Sequence, residues 1–378
     1  MKSLFKWTSF GGLIALAVIM ATATVVEKVF GREQAITAIY GAWWFVAVWM
    51  ITAASAAVYL VQKKIFKRKA AALLHIALLV ILAGALVTFL TAERGALHIR
   101  QGQILNYYIS DKDNARHPLP FNIKLLLFEV EHHPDSSEPA DFISYLRVDG
   151  EVCRVSMNRI YRHKGYRLYQ LEYDDDEMGT TLLLNHDPWG IPVTYTGYLL
   201  LAIAAVWLLF LRLSWKGVTA LALPTVAVWF YISQINPMTP VLRSPLLAIH
   251  VSIIMISYVL LLTAASVSGV ALCSKRLAQR LLLFNRKLLY PALFLLAMGI
   301  FIGAIWANIS WGRYWGWDSK ETWALITLIV YAIPMHAGSL KAFGRPKFFH
   351  RYMLFAILAV AMTFLGVSFL MEGMHSYL

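Results

Sequence analysis

The sequence predicts a polytopic α-helical membrane protein of about nine transmembrane helices, with a small outward-facing β domain inserted between the third and the fourth. Three observations carry this prediction. Hydrophobic residues make up 59% of the 378 and charged residues 15%, against roughly 45–50% and 25% in a soluble domain, which excludes an ordinary soluble enzyme. Nine stretches come close to the about 20 apolar residues that a bilayer core requires of a helix. One long polar segment, residues 93–190, interrupts them.

The first stretch, 10–26, follows Lys2 and Lys6 and contains Ala21-Thr22-Ala23, which a signal peptidase accepts, but the eight further spans favour a retained anchor. Stretches at 38–61 and 70–92 complete an N-terminal group, residues 1–92. The outer domain, 93–189, reads as strands: FNIKLLLFEVE, then ISYLRVDGEVCRVSM with Asp149-Gly150 as its hairpin turn, then YRLYQLEYD. Asp174-Asp175-Asp176-Glu177 reads as a solvated turn. Six more spans lie within 190–378, at 190–211, 217–235, 245–273, 288–309, 322–340 and 352–371.

The net charge of +13 is unevenly placed. Residues 93–190 hold 11 Lys/Arg and 16 Asp/Glu, so the remainder holds 23 and 5. The basic excess belongs to the membrane part and is no footprint of nucleic acid. With the N-terminus cytoplasmic, the inner connections hold 18 Lys/Arg and the short outer ones 5, which fits a multi-pass protein of the cytoplasmic membrane. The β domain, the loop 308–321 and the C-terminus then face outward. Cys153 and Cys273 form no C-x-x-C, so neither a dithiol pair nor a zinc ribbon is present and any thiol chemistry comes from a partner.

Of eleven histidines, His98, His117, His132, His133, His163, His186 and His350 fall in polar or basic segments and read as solvated. His75, His250, His336 and His375 lie in or at the ends of spans, where ionisable groups are functional candidates by default; an interhelical hydrogen bond is the bland alternative. At 1.5 Å of rise per residue, His75 and His336 both lie about 20–25 Å below the outer surface, and His250 and His375 share an outer level. Two imidazoles at one depth suit six-coordinate haem iron better than a closed zinc site, which takes more protein ligands.

Between His250 and His375 runs a segment with five tryptophans in eighteen residues: Trp306, Trp311, Gly312, Arg313, Tyr314, Trp315, Gly316, Trp317, Asp318, Lys320 and Trp323 are its notable members. An interfacial aromatic belt explains Trp43, Trp44, Trp49 and Trp189, but it has no use for glycines. Gly312 and Gly316 would let backbone approach a flat ligand, and indoles offer apolar faces and N–H donors. A porphyrin fits, with Arg313 and Lys320 as partners for its two carboxylates. Asp318 either orients a donor in the loop or caps the next helix through a D-x-x-E capping box, and the two roles are compatible.

WGRYWGWDSKETW resembles the tryptophan-rich WWD signature of haem-handling proteins in cytochrome c maturation. SPLLAIHVSIIMISYVLL with His250 and GMHSY with His375 are similar to the external haem-ligand histidines that bracket that signature, and YAIPMHAG with His336 resembles the family's intramembrane histidine. The N-terminal half, with Trp43-Trp44, His75 and a β domain ending in GYRLYQLEY, is similar to the ResB partner subunit. The whole resembles a compact fused form of the system II cytochrome c synthetase. That resemblance implies that haem b enters between His75 and His336, moves outward, and is held by the tryptophan loop with His250 and His375 as axial ligands. It also implies thioether attachment to the C-x-x-C-H thiols of an apocytochrome c, kept reduced by thioredoxin-like proteins. Catalysis would be mostly positioning, and no catalytic acid or base stands out. Pro334, two residues before His336, suggests a kink near the inner site. Three other readings remain: a haem exporter or chaperone serving a separate ligase, a b-type electron-transfer subunit, and a cofactor-free scaffold. The tryptophan loop argues against the last two.

Overall fold

The computed structural model describes residues 2–133, 139–157, 159–213, 215–234 and 244–371. The N-terminal group comprises α1 (Lys2–Phe30), a short α2 (Arg32–Ala35) continued by a π turn, Ile36–Tyr40, then α3 (Trp43–Gln62) and α4 (Lys69–Thr91). After the β domain come α5 (Gly190–Arg212), α6 (Trp215–Ser233), α7 (Pro245–Ala271), α8 (Lys275–Ser310), α9 (Ser319–Ala332) and α10 (Pro346–Ala361), the last extended by helical turns to Leu370. Each of the nine apolar stretches is helical over most of its described residues. Among the described residues, seven helices are long and apolar enough to cross a membrane. The other two are α6, whose described apolar part is Ala222–Ile232, and the 14-residue α9.

Two boundaries differ from expectation. The basic segment 275–287, expected as an inner connection, is the first third of α8: the Ser274 side chain accepts the Leu277 N–H, and Lys, Arg and Leu are good helix formers. Near Pro334 the α-helix stops at Ala332 and tightens into a 3₁₀ turn, Ile333–His336, because proline supplies no N–H to continue the ladder.

The β domain is one antiparallel, barrel-like sheet of eight strands: β1 (Glu93–Arg100), β2 (Ile104–Ser110), β3 (Arg116–His132), β4 (Pro139–Val148), β5 (Glu151–Ser156), β6 (Tyr161–His163), β7 (Tyr166–Tyr173) and β8 (Gly179–His186). Their spatial order is β5-β4-β3-β2-β1-β8-β7-β6. The predicted strands correspond to β3, β4, β5 and β7, with Asp149 and Gly150 in left-handed conformation (φ 47° and 92°) at the tip of the β4–β5 hairpin. Strands β1, β2, β6 and β8 escaped the pattern because they interleave few apolar residues with Arg, His, Asn and Thr. Their inward Leu97, Ile99, Leu105, Leu182 and Leu184 are nonetheless buried in the barrel core. Pairing of Glu93 with His186 brings together the chain's exit from α4 and its entry into α5. Helices α4 and α5 continue that pairing in the apolar layer, where Gly84 leaves room only for Thr194, as expected of close helix packing in lipid.

A second core joins α1, α3, α7, α8, α9 and α10, from Leu16, Met20 and Phe45 to Leu261, Leu296, Ile329 and Met353. A smaller one, Ile191, Tyr198, Ala304 and Tyr314, lies beneath the tryptophan loop.

Candidate functional site

His75 of α4 and His336 at the end of α9 come together, with ring centres 5.9 Å apart and planes at 81°. Each Nδ1 lies against the carbonyl four residues back, His75 to Ala71 at 2.7 Å and His336 to Ala332 at 2.9 Å. A carbonyl can only accept, so both Nδ1 atoms carry the proton and both Nε2 atoms carry the lone pair. This is the tautomer of a metal-ligating imidazole, fixed by the hydrogen bond that such ligands usually make. Phe10 stands edge-on to His336, 5.4 Å between ring centres. Among the described residues, no group of three or more His, Cys, Asp or Glu could hold a bare metal ion.

His250 of α7 directs Nδ1–H to the Gly299 carbonyl of α8 at 2.7 Å, fixing the same tautomer. Its ring lies over Gly303, where a Cβ would meet Nδ1 at 2.6 Å. His375 lies outside the described residues, as does the C-terminal GMHSY segment. His350 is a correction: it is fully buried, not solvated. Nε2 meets the Ala278 carbonyl at 3.0 Å and Nδ1 meets the Ser268 hydroxyl at 3.0 Å, so both nitrogens are spent on joining α7, α8 and α10. Of the polar-domain histidines, His98, His117, His163 and His186 stand beside Asp174, Asp113, Asp149 and Glu93 respectively.

The tryptophan loop is held largely by the N-terminal group. Asp318 caps α9 in a full capping box with Glu321, whose Oε2 also accepts the Gly316 N–H at 2.8 Å. Buried Glu27 of α1 accepts the Ser319 hydroxyl at 2.8 Å and pairs with Arg32 at 3.3 Å. Arg32 in turn donates to the Gly316 carbonyl at 2.7 Å. Trp317, in left-handed conformation (φ 55°), stacks on Tyr40 at 4.8 Å and meets Phe45 edge-on. Trp315 is edge-on to Trp317, and the Trp323 indole donates to Thr24 at 3.2 Å. Tyr314 reaches between α4 and α5: its hydroxyl lies 2.9 Å from Thr88 and 3.3 Å from Thr194, and Thr88 donates to Asp187 at 2.7 Å. Trp306 is buried in α8 and packs edge-on against Trp311, 4.6 Å between ring centres.

The β domain closes over this loop. Tyr169 of β7 donates to the Asn308 carbonyl at 3.3 Å, Arg167 to Asn308 Oδ1 at 3.4 Å, and Asn185 of β8 to the Gly312 carbonyl. These contacts occupy the space beside the two glycines. A Cβ on Gly312 would strike the Tyr169 ring at 2.5 Å, and one on Gly316 would meet Arg313 at 3.1 Å. The space they leave is taken by protein, and Gly312 also needs its positive φ of 75°. Arg313 is largely buried; burial lowers its pKa, and Arg32 and Arg94 push the same way, against Glu321 and Asp111. Asp111 is raised by burial while Arg313 and Arg94 draw it down.

The sequence reading passed over Glu27, Arg32, Tyr40, Tyr169, Asn185, Gly303 and Asn308. Glu27 did carry a signal, as an acidic residue at the outer end of an apolar helix. The others had none, because what they touch is hundreds of residues away or on another element.

Residues 193–375 match the model of the cytochrome C assembly protein family, and residues 52–196 match that of the ResB-like family. The C-terminal part of this chain thus matches the cytochrome c assembly family and the part before it the ResB-like family, both in one polypeptide. Among curated relatives, Protein NrfI of Wolinella succinogenes is 36% identical over 162 residues, 39% of this chain and 18% of that protein. Cytochrome c biogenesis protein CcsA of Gloeobacter violaceus is 39% identical over 121 residues, 32% of this chain and 35% of that one. CcsA of a Synechococcus strain is 32% identical over 206 residues, 43% and 66%. The matched region thus spans between 18% and 66% of these relatives' lengths.

Proposed function

We propose that this protein moves haem b outward across the cytoplasmic membrane and holds it for covalent attachment to apocytochrome c. The observation that carries the reading is the inner imidazole pair. Two lone-pair nitrogens, with no third ligand among the described residues, suit a metal that brings its own equatorial ligands. Their 5.9 Å ring separation is close to that of two imidazoles on one iron, given about 2 Å per metal–nitrogen bond plus the distance from each nitrogen to its ring centre. His250, bound to α8 in the same tautomer, would serve iron at the outer level with His375 as the opposing ligand. The indoles of the 306–323 loop, with Arg313 and Lys320, would seat the macrocycle and its carboxylates.

With the N-terminus cytoplasmic, the loop and the β domain face the compartment where apocytochromes are matured. There each C-x-x-C-H thiol adds across a haem vinyl group: a sulfur–carbon bond forms, the thiol hydrogen goes to the neighbouring vinyl carbon, and no external oxidant is consumed. Thiol reduction falls to thioredoxin-like partners, since Cys153 and Cys273 are far apart in sequence and Cys153 is pushed up to about 11 by burial. The contribution of this chain is orientation of iron, vinyl and thiol.

The test is co-expression with a C-x-x-C-H reporter in a bacterium lacking its own maturation genes, followed by haem staining of the denatured reporter. Covalent haem is expected, with loss in His250→Ala and His375→Ala that exogenous imidazole partly restores. Haem bound to the purified protein without labelled reporter would instead identify a chaperone, and neither signal from folded protein would overturn the haem reading.

A further inference from the structure

The acid-rich β domain presents an arginine row to the tryptophan loop. In the antiparallel register Arg94 of β1 lies opposite Asn185 of β8, Asn185 opposite Arg167 of β7, and Arg167 opposite Arg162 of β6. Directly opposed residues project from the same face of a sheet, so three guanidinium groups and one amide form a single rung. Asn185 bonds to Gly312 and Arg167 to Asn308, which fixes that face as the one over the loop. Arg94 lies within electrostatic reach of Arg313 and Tyr314.

Elsewhere in the domain several cations are matched, Arg100 with Asp174 and Asp176, Arg154 with Asp141 and Lys164 with Asp149, and what sets the row apart is three cations and an amide on one rung over the loop. Among the described residues none of Arg94, Arg162 and Arg167 forms an ion pair. The Arg94 Nε is buried with no hydrogen-bond partner. A half-buried cation left in this state is costly unless an anion completes it, and Asp111 lies within electrostatic reach of both Arg94 and Arg313. The rung begins three residues after α4 ends and lies five residues before α5 begins, so it stands just beyond the ends of these two helices, beside the loop.

We infer that the Arg94–Asn185–Arg167–Arg162 rung is a carboxylate-binding site of the β domain that receives the propionates of a porphyrin seated on the tryptophan loop. The inference rests on the haem reading above and extends the carboxylate partners beyond Arg313 and Lys320. Guanidinium groups suit the task, since each can take a carboxylate through two parallel hydrogen bonds. The row places the inserted domain in the haem site itself: it would orient the macrocycle in its plane and so decide which edge, with which vinyl groups, faces the incoming thiols.

The full-length protein in phosphatidylcholine nanodiscs is titrated with ferric protoporphyrin IX and with its dimethyl ester, both read by the Soret band. The diacid is expected to bind roughly ten- to hundredfold more tightly, the range of charge-assisted hydrogen bonds. Arg94→Gln and Arg167→Gln should each erode that ratio, their combination should remove it, and Arg94→Lys should retain part. Exposed Arg162→Gln should give the smallest loss. The ratio is taken within each variant, so that its ester affinity serves as the control for folding and for the loop contact of Arg167. Equal affinities in the unaltered protein, or a full diacid preference in the double variant, would overturn the assignment. So would variants that change only the response to added phosphatidylglycerol, since the rung would then serve lipid phosphates. Binding of neither porphyrin would overturn the haem reading and this inference with it.

Discussion

The His75–His336 pair, proposed as the inner site, and the tryptophan loop, proposed as the outer one, are built on opposite principles. The inner pair is two side chains on two helices, each oriented by a carbonyl of its own helix. The outer loop owes its shape to distant groups: Glu27, Arg32 and Tyr40 before the β domain, Tyr169 and Asn185 within it, Thr88 and Thr194 on either side of it. A ligand pair needs only depth and tautomer, which local helix geometry supplies. A platform for a flat molecule needs its indoles held in fixed planes, and an 8-residue link between helices has too few internal hydrogen bonds to do this alone. The ResB-like half therefore contributes to the assembly-family loop structurally, whatever else it binds.

That contrast can be broken from the outer side with the largest effect. Gly312→Val should cost about 1–2 kcal/mol for the left-handed backbone and about 1–3 kcal/mol for overlap with Tyr169. The thermal midpoint should fall and protease should cleave near the loop, while the His75–His336 spectrum with bound haem stays unchanged. Glu27→Ala should cost less, about 1–3 kcal/mol, because the buried Ser319 hydroxyl loses its acceptor and Arg32 its partner. Red-shifted tryptophan emission and a lower thermal midpoint would register it, and an unaltered emission spectrum would contradict the Glu27 clamp.

The inner side should respond in the reverse manner. His336→Ala removes an edge-on ring contact with Phe10 worth about 0.5–1.5 kcal/mol, so stability should change little. Inner haem ligation should nonetheless weaken by more than the roughly 10–100-fold typical of losing a ligand's supporting partner, read as loss of one low-spin component on haem titration. The smallest effect concerns the protein's own sulfur. Burial raises the Cys153 thiol to about 11, so alkylation should keep accelerating as pH rises through 9. Levelling near pH 9 would mean an ordinary thiol, and Cys153→Ser should leave reporter labelling intact.

Legibility followed the range of the interactions. The spans, the polar insert and the Asp149-Gly150 hairpin are local patterns of hydrophobicity and turn chemistry, and they could be read directly. Asp318 was readable as a cap because its partner is three residues away. His350 was misread because its burial comes from Ser268 and Ala278 on other helices, which no window around a basic segment reveals. Gly312 and Gly316 show a related limit: sequence shows that a side chain is missing, and only packing shows what lies beside the space. Half of the strands were passed over because a small barrel buries single leucines within polar strands, so their alternation is faint.

Sequence alone determined the membrane class, the place of the β domain in the chain, and the four span-associated histidines, since each follows from composition or from a fixed rise per residue. The tertiary structure decided which side chains meet. It set the tautomers of His75, His250 and His336, spent both nitrogens of His350 on packing, filled the loop glycines with Tyr169 and Arg313, and aligned Arg94, Arg167 and Arg162 in one rung. Those outcomes depend on strand register and helix crossing, and both are fixed by the burial of the whole chain at once.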